Sequence, residues 1–163
     1  MATLSEISKA TTAKPRTVQL WADAGVIVAE PGTDREGSGK HREFSKGEAV
    51  IACIVAPFAA DKMAIGGLRD IARVVRNGGA NTKPFDNAIN GIGNTFLVIS
   101  MAHFDPVKVT SYSGPLTHMF RIIEGDSSNQ QLAQFMADTT KDFPMVRILS
   151  LNSVLKPIKA MKF

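Results

Sequence analysis

The apolar positions of the chain fall into two regimes. Over the first half they recur every three or four residues in short runs, the spacing of one helix face. In the second half they bunch into β-type stretches between polar turns. Leu4 and Ile7 mark a first helix, Leu4 to Ala10, capped by Thr3 or Ser5, with Glu6 and Lys9 outside. Thr11-Thr12-Ala13 reads as a turn, because hydroxyl side chains compete with helical hydrogen bonds. A second helix is predicted over 14–23. Pro15 suits its first turn, and Gly25 suits the left-handed position past its end. Val18, Trp21 and Ala22 form its buried face, which leaves Lys14, Arg16, Thr17 and Gln19 for the other.

Val26-Ile27-Val28 is a short β-type run, 30–39 a polar loop dense in Gly, and Lys40 to Phe44 a returning strand. Alternation would put Arg42 and Phe44 on one face and His41 and Glu43 on the other. Together they predict a small hairpin, or wing. Ser45-Lys46-Gly47-Glu48 reads as a capping box. The helix it opens, Lys46 to Ala60, is apolar almost throughout and so predicted buried, with Pro57 kinking or ending it. Asp61 is placed as the cap of a further helix, Lys62 to Arg76. There Ile65, Leu68, Ile71, Ala72 and Val75 face inward, and Arg69, Asp70, Arg73 and Arg76 outward. Asn77-Gly78-Gly79 ends it.

Residues 77–83 read as a linker to a second module, 84–163. Its predicted elements are a short helix from Pro84 to Ile92, with Phe85, Ile89 and Ile92 inward, and strands at 95–103, 107–112 and 146–151. A capping start at Asp126-Ser127-Ser128 opens a helix through Asp142, with Leu132, Phe135, Met136 and Thr139 on one face. Leu116 to Ile123 is ambiguous between helix and strand. Lys156, Lys159 and Lys162 stand among apolar residues at the end, a solvated face or a further phosphate contact. The fold class is therefore α+β.

Composition changes this picture little. Hydrophobic residues make up 44% and charged residues 21% of 163 residues, ordinary for a globular protein. The net charge of +4 favours a polyanionic partner. Residues 1–76 carry 11 Lys and Arg against 9 Asp and Glu, and 77–163 carry 8 against 6, so neither half stands out. One cysteine, Cys53, excludes an internal disulfide framework and points to a reducing compartment. The first residues lack the pattern of a signal peptide, and no apolar run reaches a membrane span, so a cytoplasmic location without membrane contact is expected.

The chemistry that remains is that of DNA recognition. Lys14, Arg16, Thr17 and Gln19 can reach phosphates and base edges from a helix in the major groove, and Arg35, Lys40, His41 and Arg42 of the wing can straddle the flanking backbone. The order Leu4-Ser-Glu-Ile-Ser-Lys-Ala, Pro15-Arg-Thr-Val-Gln-Leu-Trp and Gly25-Val-Ile, then Gly39-Lys-His-Arg-Glu-Phe-Ser and Ala64-Ile-Gly-Gly-Leu-Arg-Asp-Ile, resembles the MerR family of transcription regulators over about residues 3–76. The resemblance implies a winged helix-turn-helix that binds double-stranded DNA as a homodimer and controls a promoter, with RNA polymerase as a further partner and an effector of unknown identity. Gln19 stands where the family has a second Arg, Leu20 and Trp21 where it has paired aromatics, and Phe44 where it has Tyr. Phosphate anchoring would thus lean on Arg16, Lys40, His41 and Arg42.

Other readings carry less. Phage excisionases share the winged fold, so an architectural factor is one alternative, and a protein-interaction module that has lost DNA binding is another. Gly37-Ser38-Gly39-Lys40 lacks the earlier Gly and the following Ser or Thr of a P-loop. Cys53 has no ligand-spaced neighbour and reads as inert core. His103 and Asp105 form no recognisable catalytic set, so no enzyme, cofactor or metal is expected.

Overall fold

The computed structural model describes residues 1–33, 41–78, 83–101, 107–115, 117–119, 129–130, 132–135 and 145–163. The fold is α+β. Helices α1 (Leu4–Thr11) and α2 (Pro15–Asp23) are joined by three residues. A two-residue strand β1 (Ala2–Thr3) pairs antiparallel with β2 (Glu43–Phe44). Then come α3 (Lys46–Ala60), α4 (Ile65–Asn77) and α5 (Lys83–Asn90). Strands β3 (Thr95–Met101), β4 (Lys108–Ser113) and β5 (Met145–Ser150) form an antiparallel sheet in the order β4-β3-β5. A single turn, α6 (Leu151–Val154), and a 3-10 helix over Lys156–Ala160 close the chain.

Local chemistry explains most element ends. Thr3 caps α1 in a full capping box: its hydroxyl accepts from the Glu6 N–H, and the Glu6 carboxylate takes the Thr3 N–H at 2.8 Å. At the turn, Thr11 Oγ1 donates to the Ile7 carbonyl and accepts from the Ala13 N–H, while Thr12 adopts φ 56°. Helix α2 ends as predicted. Gly25 sits at φ 71°, and the Val26 N–H bonds the Trp21 carbonyl at 2.8 Å, the six-to-one closure of a helix C-terminus.

Several expectations are corrected. Among the described residues, Val26–Val28 do not pair with 41–44 as the predicted hairpin required. The backbone of that run is spent elsewhere: the Val28 N–H goes to Glu48 Oε2 at 2.8 Å, and the Val26 carbonyl to Arg76 at 3.0 Å. The partner of Glu43–Phe44 is the start of the chain. Ser45 accepts from the Glu48 N–H, but the Glu48 carboxylate turns inward to a bidentate pair with Arg76 at 2.7 and 2.9 Å, so only half the capping box forms. Arg76, expected outside, is thereby drawn in. Pro57 lies inside α3, which continues three residues beyond it. Asp61 does not cap the start of α4; it is the C-cap residue of α3. It follows the end of α3 and pairs with Arg147 of β5, while Ala64 occupies the start of α4. Ile65 and Ile92 are exposed, not inward.

The core centres on α3, with Val50, Ala52, Ile54, Val55 and Phe58 fully buried. One continuous apolar cluster takes in α1, α2, α3 and α4. It also takes in Phe85 and Ile89 of α5, Leu97 and Ile99 of β3, and Leu151, Leu155 and Ile158. The interval 77–83 is thus spanned by a shared core, although 79–82 lie outside the described residues. Strand β3 is central and alternates: Leu97 and Ile99 face the helices, and Val98 faces a second cluster with Tyr112, Met119 and Leu132. Phe135 packs against that cluster. Met136, Thr139 and most of the predicted 126–142 helix, like most of 116–123, lie outside the described residues.

Two outcomes follow from this packing. Glu48→Ala should lower the stability to urea by about 2–3 kcal/mol, since it strands a half-buried guanidinium and the Val28 N–H. Leu155→Ala should cost about 2–4 kcal/mol as a core cavity. Followed by the fluorescence of Trp21, the sole tryptophan, this distant change should still shift the unfolding midpoint. An unchanged Trp21 transition would show that the two halves unfold independently.

Candidate nucleic-acid interface

Helix α2 presents a two-faced surface. Val18 and Trp21 are buried against α1 and the core. On the other side Lys14 and Arg16 are exposed, and Thr17 and Gln19 half-buried. Lys14 is the N-cap residue: its carbonyl accepts from the N–H groups of Thr17 and Val18 at 2.8 and 3.1 Å, and its side chain makes no cap bond. The Arg16 guanidinium donates to Gln19 Oε1 at 3.2 Å, so the two residues one turn apart form a polar pair. The sequence thus brings four of its predicted DNA-reading side chains together at the helix start. Leu20 lies on the same helix with 48% exposure, an apolar interruption where an aromatic was expected from the resemblance.

The residues predicted for a wing divide. His41 is exposed. Arg42 is drawn to the end of α2, where it pairs with Asp23 at 2.6 Å with 17% of its side chain exposed. Its charge is therefore partly satisfied within the protein, and its role shifts toward fixing the loop base to α2. Thr33 closes that base as well: its hydroxyl donates to the Glu30 carbonyl and accepts from the Glu43 N–H at 3.1 Å. Arg35 and Lys40 lie outside the described residues, as do His103 and Asp105.

The groups that hold this surface are largely invisible to periodicity. By sequence Glu48 and Arg76 are a capping acid and a surface base, yet they pin the chain on leaving α2. The Glu48 hydrogen bonds hold the Arg76 guanidinium above its ordinary value. Asn152 ties Thr95 to Gly93 through its amide, which no sequence pattern announces. A cleft of about 480 Å³ opens between the end of α4, α5 and the sheet, with Val74, Asn77, Phe85, Leu97 and Ser111 in its wall. Among the described residues no group of three His, Cys, Asp or Glu side chains could hold a metal, and no helix is long and apolar enough to cross a membrane.

No family model matches the chain, and no curated protein matches it.

Cys53 is buried in α3, and burial pushes its thiol up to about 12. The raised value keeps the folded thiol protonated. As pH rises past the ordinary thiol value, the unfolded chain loses this proton first, so the contribution of Cys53 to stability declines in that alkaline window. At neutral pH a thiol-specific maleimide should label the native protein far more slowly than the urea-unfolded chain. Equal rates would contradict the buried placement.

Proposed function

We propose that the protein is a sequence-specific DNA-binding regulator of MerR-like type, in which α2 enters the major groove. The observation that carries this reading is the start of α2. Two short helices joined by a three-residue turn leave Lys14, Arg16, Thr17 and Gln19 on the solvent side of the second helix. In helix-turn-helix readers the second helix contacts base edges through its N-terminal residues, and the first crosses the backbone. An Arg held beside a Gln amide suits bidentate donors and acceptors on a base pair. The helix N-terminus adds a favourable field for a phosphate. Thr33 is tied to Glu43, and Arg42 to Asp23 at the end of α2, which supports a wing based there.

The reading takes double-stranded DNA as the partner, a homodimer as the binding unit and a promoter, with its RNA polymerase, as the setting. A cytoplasmic location belongs to the same proposal. The exposed Leu20 favours a second reading, a surface that meets another protein.

Gel shifts with genomic fragments should reveal a retained fragment whose affinity falls steeply with salt. Arg16→Ala should weaken that complex by about 10- to 100-fold, the effect of removing one good bidentate pairing to a base. Absent or salt-insensitive binding would refute the DNA reading. Full-strength binding by Arg16→Ala would remove α2 as the reader.

A further inference from the structure

The end of the chain lies along α1. Leu155 and Ile158 are buried in the main cluster, which fixes the segment to the body of the protein. The segment is a neighbour of α1 and runs antiparallel to it: Val154 and Pro157 line one cleft with Thr11 and Thr12, and Ala160 and Met161 line another with Glu6 and Lys9. Its other edge faces solvent, with Lys156, Lys159 and Lys162 all exposed. In a 3-10 helix, residues three apart eclipse, so Lys156 and Lys159 share one edge at a rise of about 6 Å. Lys9 of α1, which lines a cleft with Pro157, Ala160 and Met161, is exposed as well. The acidic group at this edge is Glu6, whose carboxylate is occupied by the Thr3 N–H and hydroxyl and held below its ordinary value by those bonds. Four lysines against one carboxylate leave the strip cationic. Its Pro157 end lines one cleft with Thr12, two residues before Lys14.

We infer that this C-terminal strip is a second point of attachment to the DNA backbone, continuous with the start of α2 and contributed by residues 156–162. The inference rests on the DNA-binding reading and extends it to a surface outside the resemblance. Exposed lysines need no base-specific geometry to neutralise phosphates, and each neutralised phosphate releases condensed counterions. Because the segment is already anchored by its apolar side, the lysines meet a duplex without first ordering a tail. The strip supplies charge where Gln19 and Leu20 supply none.

The test uses the full chain and a fluorescein-labelled mixed-sequence duplex, with anisotropy measured across a potassium chloride series. The slope of log affinity against log salt should fall in magnitude by about two to three in the K156Q/K159Q/K162Q variant, at about 0.9 for each phosphate that is no longer neutralised. K156R/K159R/K162R should retain the wild-type slope. An unchanged slope in a glutamine variant with wild-type circular dichroism overturns the inference. So does an equal loss in the arginine variant, because charge would then not be the cause. Salt-dependent binding by wild type with no effect of the lysines leaves the α2 reading standing and removes the strip. Wild type that does not bind removes both.

Discussion

The bidentate pair between Glu48 and Arg76 is the constraint on which the mounting of α2 depends. Its two residues come from the start of α3 and the end of α4, and both also grip the chain that leaves α2. Burying such a pair costs desolvation, and the ions' mutual attraction offsets that only when the remaining lone pairs and protons are satisfied. Here they are, because Glu48 also takes the Val28 N–H and Arg76 also gives to the Val26 carbonyl. The function of the pair is therefore positional. It sets the direction in which the polypeptide emerges from α2, and so where the loop beyond it begins.

Around that clamp the molecule is built as helices about α3, with a sheet laid against them. Central strand β3 is covered on both faces, which is why Phe96 to Ile99 read as an apolar run and not as a polar–apolar alternation. Ionic ties reinforce the junction between the sheet side and the helices. Lys46 at the head of α3 meets Asp86 of α5 at 2.7 Å. Arg147 of β5 meets Asp61 and lies 5.3 Å from the ring centre of Phe58. Both pairs are substantially exposed and add little energy individually. Their value lies in register, since each joins an element of the second half to α3.

What the sequence discloses and what it hides divide along physical lines. Elements set by local spacing are legible: α1, α2, α3 and the three long strands stand within a few residues of their predicted bounds. The Pro15 and Gly25 framing of α2 rests on backbone rules that operate within a few residues, and it places Lys14, Arg16, Thr17 and Gln19 at the head of a solvent-facing surface. The pairings formed across long separations are not legible. Nothing near Glu48 announces that its carboxylate will seek Arg76, and nothing near Phe44 announces that Ala2 lies beside it. The same blindness affects the end of the chain. The stretch around Leu155 and Ile158 is marked in the sequence only by its lysines, because the elements that receive these two side chains, α1, α3 and α5, lie far away along the chain.

The pairing of Ala2–Thr3 with Glu43–Phe44 has a temporal meaning. The strand that flanks α1 needs its partner some forty residues later, and α1 also lies against a 3-10 helix near the end of the chain. These are contacts of high sequence separation, for which loop closure must come before any reward. The first helices can therefore coil early, but their tertiary seating waits for most of the polypeptide. During synthesis on a ribosome, the α2 surface would be among the first secondary structure to appear and among the last to become properly mounted.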